Sequence, residues 1–191
     1  MTDLKTHLSR IYIYAVWVII SVMFWAWIFT FVTDTGRAKK VTLFVDTAYV
    51  SDTELSVELE KSKPDGIKMI KARSFDYVMF DDDSLTNADI FIVGASKVGD
   101  YFDSFIAIDE YAAAHPEYEY LEIDGRKYAV KVYDVGTDTG AAQSYVTYIG
   151  RDGTIEDYYL FFGVNSLHLG SINASADDAA FSAAEAYMKL D

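Results

Sequence analysis

The chain of 191 residues contains no cysteine. That excludes disulfides, thiolate metal sites, a cysteine nucleophile and a lipidated-cysteine anchor together. Histidine is scarce as well: His7, His115 and His168 stand far apart in the sequence. No G-x-S-x-G, no H-E-x-x-H and no phosphate-cradling glycine-rich loop occurs, so the common hydrolases, zinc peptidases and nucleotide-binding enzymes lack their parts. The expectation is therefore a protein that is not an enzyme and has neither a metal ligand set nor a cofactor. Positive charge is also short. Of 16 basic and 30 acidic residues, Lys5, Arg10, Arg37, Lys39, Lys40, Asp3 and Asp34 precede residue 41, leaving 11 against 28, a net −17. So negative a surface repels phosphate backbones and anionic headgroups, and nucleic acid is a poor partner.

One stretch lacks charge of either sign. Ile11 to Val32, IYIYAVWVIISVMFWAWIFTFV, is 22 residues long and lacks Gly and Pro too. As a helix it would span roughly 33 Å, enough to cross a hydrocarbon core of about 30 Å. Tyr12 and Tyr14 near one end and Trp25 and Trp27 near the other sit where an interfacial aromatic belt would place them. The run exceeds the roughly 7 to 15 apolar residues of a signal peptide, and no small-x-small site follows it in FVTDTGRAKK. An uncleaved single-pass anchor, with the lipid bilayer as its partner, is the expected reading. Flanking charge is nearly even, Lys5 and Arg10 before the span against Arg37, Lys39 and Lys40 after it.

The remaining residues, 41 to 191, amount to one ordinary domain. VTLFV, from Val41 to Val45, is the unalternating apolar run of a strand buried on both faces. Ser51-Asp52-Thr53-Glu54 supplies the S-x-x-E pattern of a capping box, and Leu55 and Leu59 follow at helical spacing until Pro64-Asp65-Gly66 ends the element. Ile67 to Phe75 and Ala88 to Val93 are read as further strands. Strand, helix, strand, connection, strand is the order of a parallel α/β sheet. Later the order changes. Tyr118–Ile123 and Lys127–Tyr133 flank Asp124-Gly125, and Ser144–Ile149 and Ile155–Phe162 flank Asp152-Gly153, so two hairpins are expected. Asp177 to Leu190 closes the chain as a helix, with Ala180, Phe181, Ala184, Tyr187 and Met188 on its apolar face. The predicted class is an N-terminal transmembrane helix followed by one three-layer-like α/β domain with a mixed sheet.

The succession VTLFVDTAYV, helix, IKMIKARSF, NADIFIVGASKV and FIAIDEYAAAHPEYEYLEIDGRKYAVKVYD resembles the first lobe of the extracellular solute-binding proteins of bacterial ABC importers. Ile108-Asp109 stands where that family has a terminal "-ID", and Asp124 to Val130 with Tyr133 where it has a "DGKxYGxP" hairpin. The likeness covers roughly residues 41 to 133, with a weaker echo over 158 to 190. Two departures accompany it. Ala129 and Lys131 replace the usual Gly and Pro, and only residues 134–157 stand where a second lobe would be inserted. The resemblance implies a reduced, single-lobed relative: a cytoplasmic tail (1–10), the span (11–32), a juxtamembrane linker (33–40) and an extracytoplasmic domain (41–191). It further implies a receptor or accessory component serving a transporter permease and capturing a small solute. The alternative is a surface module that docks another protein and has lost its ligand.

Candidate site residues follow from α/β geometry, which puts ligands outside the carboxyl ends of the strands. That nominates Asp46, Thr47 and Tyr49 after the first strand, and Gly94, Ala95 and Ser96 after the third. Asp81, Asp82, Asp83, Ser84, Asn87 and Asp89 offer oxygens to Ca²⁺ without the spacing of a calcium loop, and are read as a solvated helix start. Asn165, Ser166 and His168 are expected to satisfy backbone at a chain reversal. Residues 134–157 are expected to form a loop and hairpin that closes the single lobe, covering Tyr145, Val146, Tyr148 and Ile149 by pairing beside Lys127–Tyr133.

Overall fold

The apolar run at the head of the domain is indeed a strand. In a computed structural model that describes residues 2–33, 35–74 and 86–191, the chain divides into two compact units, Met1–Gly36 and Arg37–Asp191. The first unit is one helix, α1 (Thr2–Thr33), so most of the expected polar tail is helical. Its window Tyr12–Phe29 has a mean hydropathy of 2.0, long and apolar enough to cross a membrane. Trp17, Trp25 and Trp27 are all more than 60% exposed, which the core helix of a soluble domain would not show.

The second unit opens with a 3-10 turn (Arg37–Lys39) that runs straight into β1 (Lys40–Val45). A seven-stranded sheet follows, in the order β3 (Met69–Ser74), β1, β4 (Ile90–Gly94), β9 (Tyr158–Phe162), β6 (Arg126–Asp134), β5 (Tyr120–Ile123), with β7 (Thr139–Gly140) also on β6. The first three run parallel, and β9, β6 and β5 continue antiparallel from β4. A mixed sheet is what the change of pattern halfway along the chain predicts.

Strand side chains alternate between two apolar layers. Leu43, Val45, Ile90, Ile92, Leu160 and Phe162 face one layer. There they meet Leu55 and Leu59 of α2 (Asp52–Glu60) and the Ala180–Ala184–Tyr187 face of α5 (Ala179–Met188). Phe44, Phe91, Val93 and Phe161 face the other layer. There they meet Val98 and Tyr101 of the short α3 (Val98–Tyr101). Tyr111, from α4 (Asp109–Ala114), joins the first layer.

The Asp124-Gly125 hairpin forms. Both residues carry positive φ, 52° and 77°, the twist a two-residue turn needs, and Ile123 faces Arg126 across it. The second expected hairpin does not form. β8 (Val146–Thr147) pairs with β2 (Tyr49–Val50), while β9 enters the sheet between β4 and β6. Its all-apolar sequence suits an interior strand, whereas a hairpin mate would leave one face wet. The capping box is not realised either. Ser51 precedes α2 without a side-chain cap; instead Asp52 Oδ1 accepts the Thr53 N–H at 2.8 Å.

Residues 134–157 pair beside β6 only through Thr139–Gly140, opposite Tyr133 and Asp134. Ala142, buried and at φ 55°, then turns the chain away, its N–H donating to the Leu190 carbonyl at 2.7 Å. Aromatic packing covers the apolar segment beyond it in place of a ladder: Tyr148 stacks on Tyr133 with ring centroids 4.6 Å apart. The Tyr148 hydroxyl donates to the Ala141 carbonyl and meets the Tyr187 hydroxyl, both at 2.6 Å, tying this segment to α5. Replacing Tyr187 with Phe deletes one buried hydrogen bond while Tyr148 keeps its acceptor. A loss of about 1 kcal/mol is expected in denaturant unfolding; no change would mean that the hydroxyl pair does not hold the segment.

Candidate functional site

β1 and β4 lie side by side and end together, leaving Asp46 and Gly94 at their carboxyl ends. The chain turns after Gly94 through a 3-10 turn (Ala95–Lys97) into α3, which brings Ser96, Lys97, Asp100 and Tyr101 to the same edge. Antiparallel to β4, β9 begins where β4 ends: Tyr158 faces Gly94. The segment leading into β9 therefore arrives here too. Gly150 to Thr154 is a tight turn, with the Gly150 N–H on the Thr154 carbonyl at 2.7 Å and the Thr154 N–H on Asp152 Oδ1 at 2.9 Å. The Ala48 N–H donates to the Ile149 carbonyl at 2.7 Å and holds that turn against the end of β1. Between these elements lies a cleft of about 260 Å³.

Its floor is carboxylate and phenol. The Glu156 carboxylate lies over Gly94 and accepts both the Ser96 N–H at 2.7 Å and the Ser96 hydroxyl at 2.8 Å. A Cβ on Gly94 would stand 2.3 Å from Glu156 Oε1, so only glycine leaves the carboxylate its seat. Asp46 has a side chain only 15% exposed, and its nearest cation is Arg151 Nε at 3.8 Å. Burial pushes the Asp46 carboxyl above its ordinary value; the charges of Arg151 and Lys97 oppose this, and Asp152 and Glu156 add to it. Burial likewise raises the Tyr158 phenol, helped by the negative charges of Asp46, Glu156 and Asp152. At the mouth, the Thr154 N–H lowers Asp152 and keeps it ionised.

Of the residues nominated from sequence, Asp46, Gly94 and Ser96 line this cleft. Thr47 is buried, its hydroxyl on the Tyr49 carbonyl at 3.1 Å, and Tyr49 is 62% exposed beside it. Ala95 contributes backbone, its N–H on the Asp157 carbonyl at 2.9 Å. Sequence reading misses Arg151, Asp152, Glu156 and Tyr158, because nothing local places β9 beside β4. The turn read as a hairpin tip at Asp152-Gly153 is what delivers Arg151 and Asp152.

Asp81 to Ser84 fall outside the described residues. Asp89 is buried and spoken for, accepting the Thr42 N–H at 2.8 Å and the Ser166 hydroxyl at 2.6 Å. Among the described residues no group of three or more carboxylates or imidazoles is placed to hold a metal ion. Asn165 and His168 hold backbone carbonyls, those of Thr86 and Arg37. No family model matches this chain, and no curated protein matches it in sequence.

The glycine seat is directly testable. Gly94→Ala should drive the flexible Glu156 side chain off Ser96, at about 1 kcal/mol, the scale of the hydrogen bonding lost. Denaturant unfolding measures the loss, and an unchanged midpoint would show that Glu156 is not fixed there.

Proposed function

We propose that this chain is a single-pass membrane protein whose α/β domain faces the extracytoplasmic side and captures a small solute in the cleft at the ends of β1 and β4. In this reading it is a receptor or accessory component of a bacterial ABC-type importer, delivering solute to a permease. The observation that carries it is the cleft's position. It lies at the carboxyl ends of two parallel strands, where open α/β sheets bind ligands, and is lined by charged groups and bare backbone. The order of elements supports the same reading, since the chain's late segment returns as β9 and α5 to complete the first half's sheet and core. A second lobe is not needed for a ligand held on an open face, although such a ligand binds less tightly than one enclosed.

A thermal-shift screen of the full chain in detergent, against sugars, amino acids, short peptides and amines, tests the capture of a solute. A ligand at 100 times its Kd should stabilise the domain by about 2.7 kcal/mol. Absence of a shift with every class would favour the other reading, a surface module that docks a protein partner. Protease added to intact cells tests the sidedness: the domain should be removed, and a protected domain would overturn the outward placement.

A further inference from the structure

Two polar groups in the cleft lack what their burial calls for. Tyr158 is 1% exposed, yet its hydroxyl makes no hydrogen bond to any described residue. Tyr111 is the one described residue whose buried hydroxyl is both sealed from solvent and unpaired, so the unpaired Tyr158 hydroxyl opens onto the cleft it lines. Asp46 is in the same position. No described N–H or O–H donates to its carboxylate, and Arg151 at 3.8 Å is beyond hydrogen-bond reach. Glu156 has partners for one lone pair on each oxygen and can accept again.

We propose that the solute held here is a small organic cation bearing a primary ammonium group, seated between Asp46, Glu156 and the Tyr158 hydroxyl; this rests on the solute-capturing reading above. An ammonium carries three donors and a full charge, which matches three acceptors, two of them anionic. A neutral polyol would leave the Asp46 charge with only the Arg151 ion pair at 3.8 Å, too long to be a hydrogen bond. An anion would face four carboxylates (Asp46, Asp100, Asp152 and Glu156) against two cations, Lys97 and Arg151, on a domain whose residues 41–191 carry a net −17. A bare metal ion is disfavoured because no three of the described carboxylates converge. Burial raises the Asp46 carboxyl against the pull of Arg151 and Lys97, so a further cation in the cleft would favour its charged form, and the domain's negative field would concentrate such solutes at the mouth.

The test is isothermal titration calorimetry on the full chain in detergent at physiological salt. Its arms are 1,4-diaminobutane, glucose and glutamate. The diamine should bind one to one, and Asp46→Asn should weaken it by about tenfold or more, the scale of one charge-assisted hydrogen bond. Tyr158→Phe should weaken it several-fold with an unchanged melting temperature, since the deleted hydroxyl has no protein partner. Should Asp46→Asn fail to fold, Tyr158→Phe decides alone. Diamine binding that ignores both substitutions would mean adsorption to the acidic surface and overturns the proposal. Binding of glucose or glutamate in place of the diamine overturns the cation while leaving the cleft a solute site. Silence in all three arms overturns both.

Discussion

Replacing Phe161 with Ala is expected to remove about 3–5 kcal/mol of stability, the range for truncating a fully buried aromatic. The side chain is 0% exposed and its ring stacks on Phe105 with centroids 4.1 Å apart, Phe105 in turn lying 5.5 Å from Phe91. Along the sheet its backbone faces Phe91 on one side and Ala129 on the other, so it stands at the seam between the two halves of the chain. Ala129 is fully buried and has no bulk with which to fill the hole. Domains hold only about 5–15 kcal/mol in total, so this one truncation would take a large share. Guanidinium unfolding of the full chain in detergent measures it. A loss below about 1.5 kcal/mol would fall to the level of a tolerated core swap and mean that β9 is not the strand joining the halves.

What makes β9 important is also what hid it. β1, α2, β3, β4, the β5–β6 hairpin and α5 are legible because each carries its signal within its own residues: an apolar run, leucines four apart, an Asp-Gly turn, an alanine face. The placement of Tyr158–Phe162 between β4 and β6 is set by partners some 30 to 70 residues earlier in the chain. Its all-apolar sequence shows that it is buried but not beside what. The same limit explains β2 and β8, two residues each, which pair without a pattern of their own.

The candidate site divides along the same line. Asp46, Gly94 and Ser96 can be nominated because they follow recognisable strands in a recognisable order. Glu156 reaches Ser96 across a separation of 60 residues, and only the sheet order reveals that contact. Ala129 stands directly opposite Phe161 across the strand pair. Lys131 is ringed by Asp157 at 3.0 Å and by Glu119 and Asp134 at 3.5 Å each.

His168 presents the other large expected effect, and its sign is set by geometry. The side chain is sealed within the domain, with Nδ1 2.7 Å from Asp177 Oδ1 and Nε2 3.0 Å from the Arg37 carbonyl oxygen. Both neighbours are acceptors, so the ring satisfies both only when it carries two protons and a positive charge. Burial by itself pushes this imidazole down. The Arg37 carbonyl, Asp177 and the negative charge of Asp89 together outweigh burial and hold it above its ordinary value. The Arg37 guanidinium points elsewhere, donating to the Asn165 carbonyl at 2.8 Å and the Asn87 carbonyl at 3.3 Å. Raised in the folded state, the group contributes stability that is fully present below its unfolded value near 6.5 and is lost as pH climbs through the folded one. Unfolding free energy should therefore fall as pH climbs from the unfolded value near 6.5 through the folded one above it, by about 1.4 kcal/mol for each unit separating the two values. His168→Gln can donate to Asp177 or to the Arg37 carbonyl but not to both, and at pH 6 should cost about 1.5–3 kcal/mol, one charge-assisted bond. In that variant the decline across the window should vanish. A decline of equal size in both proteins would place the titrating group elsewhere and remove His168 as the clamp on the domain's first turn.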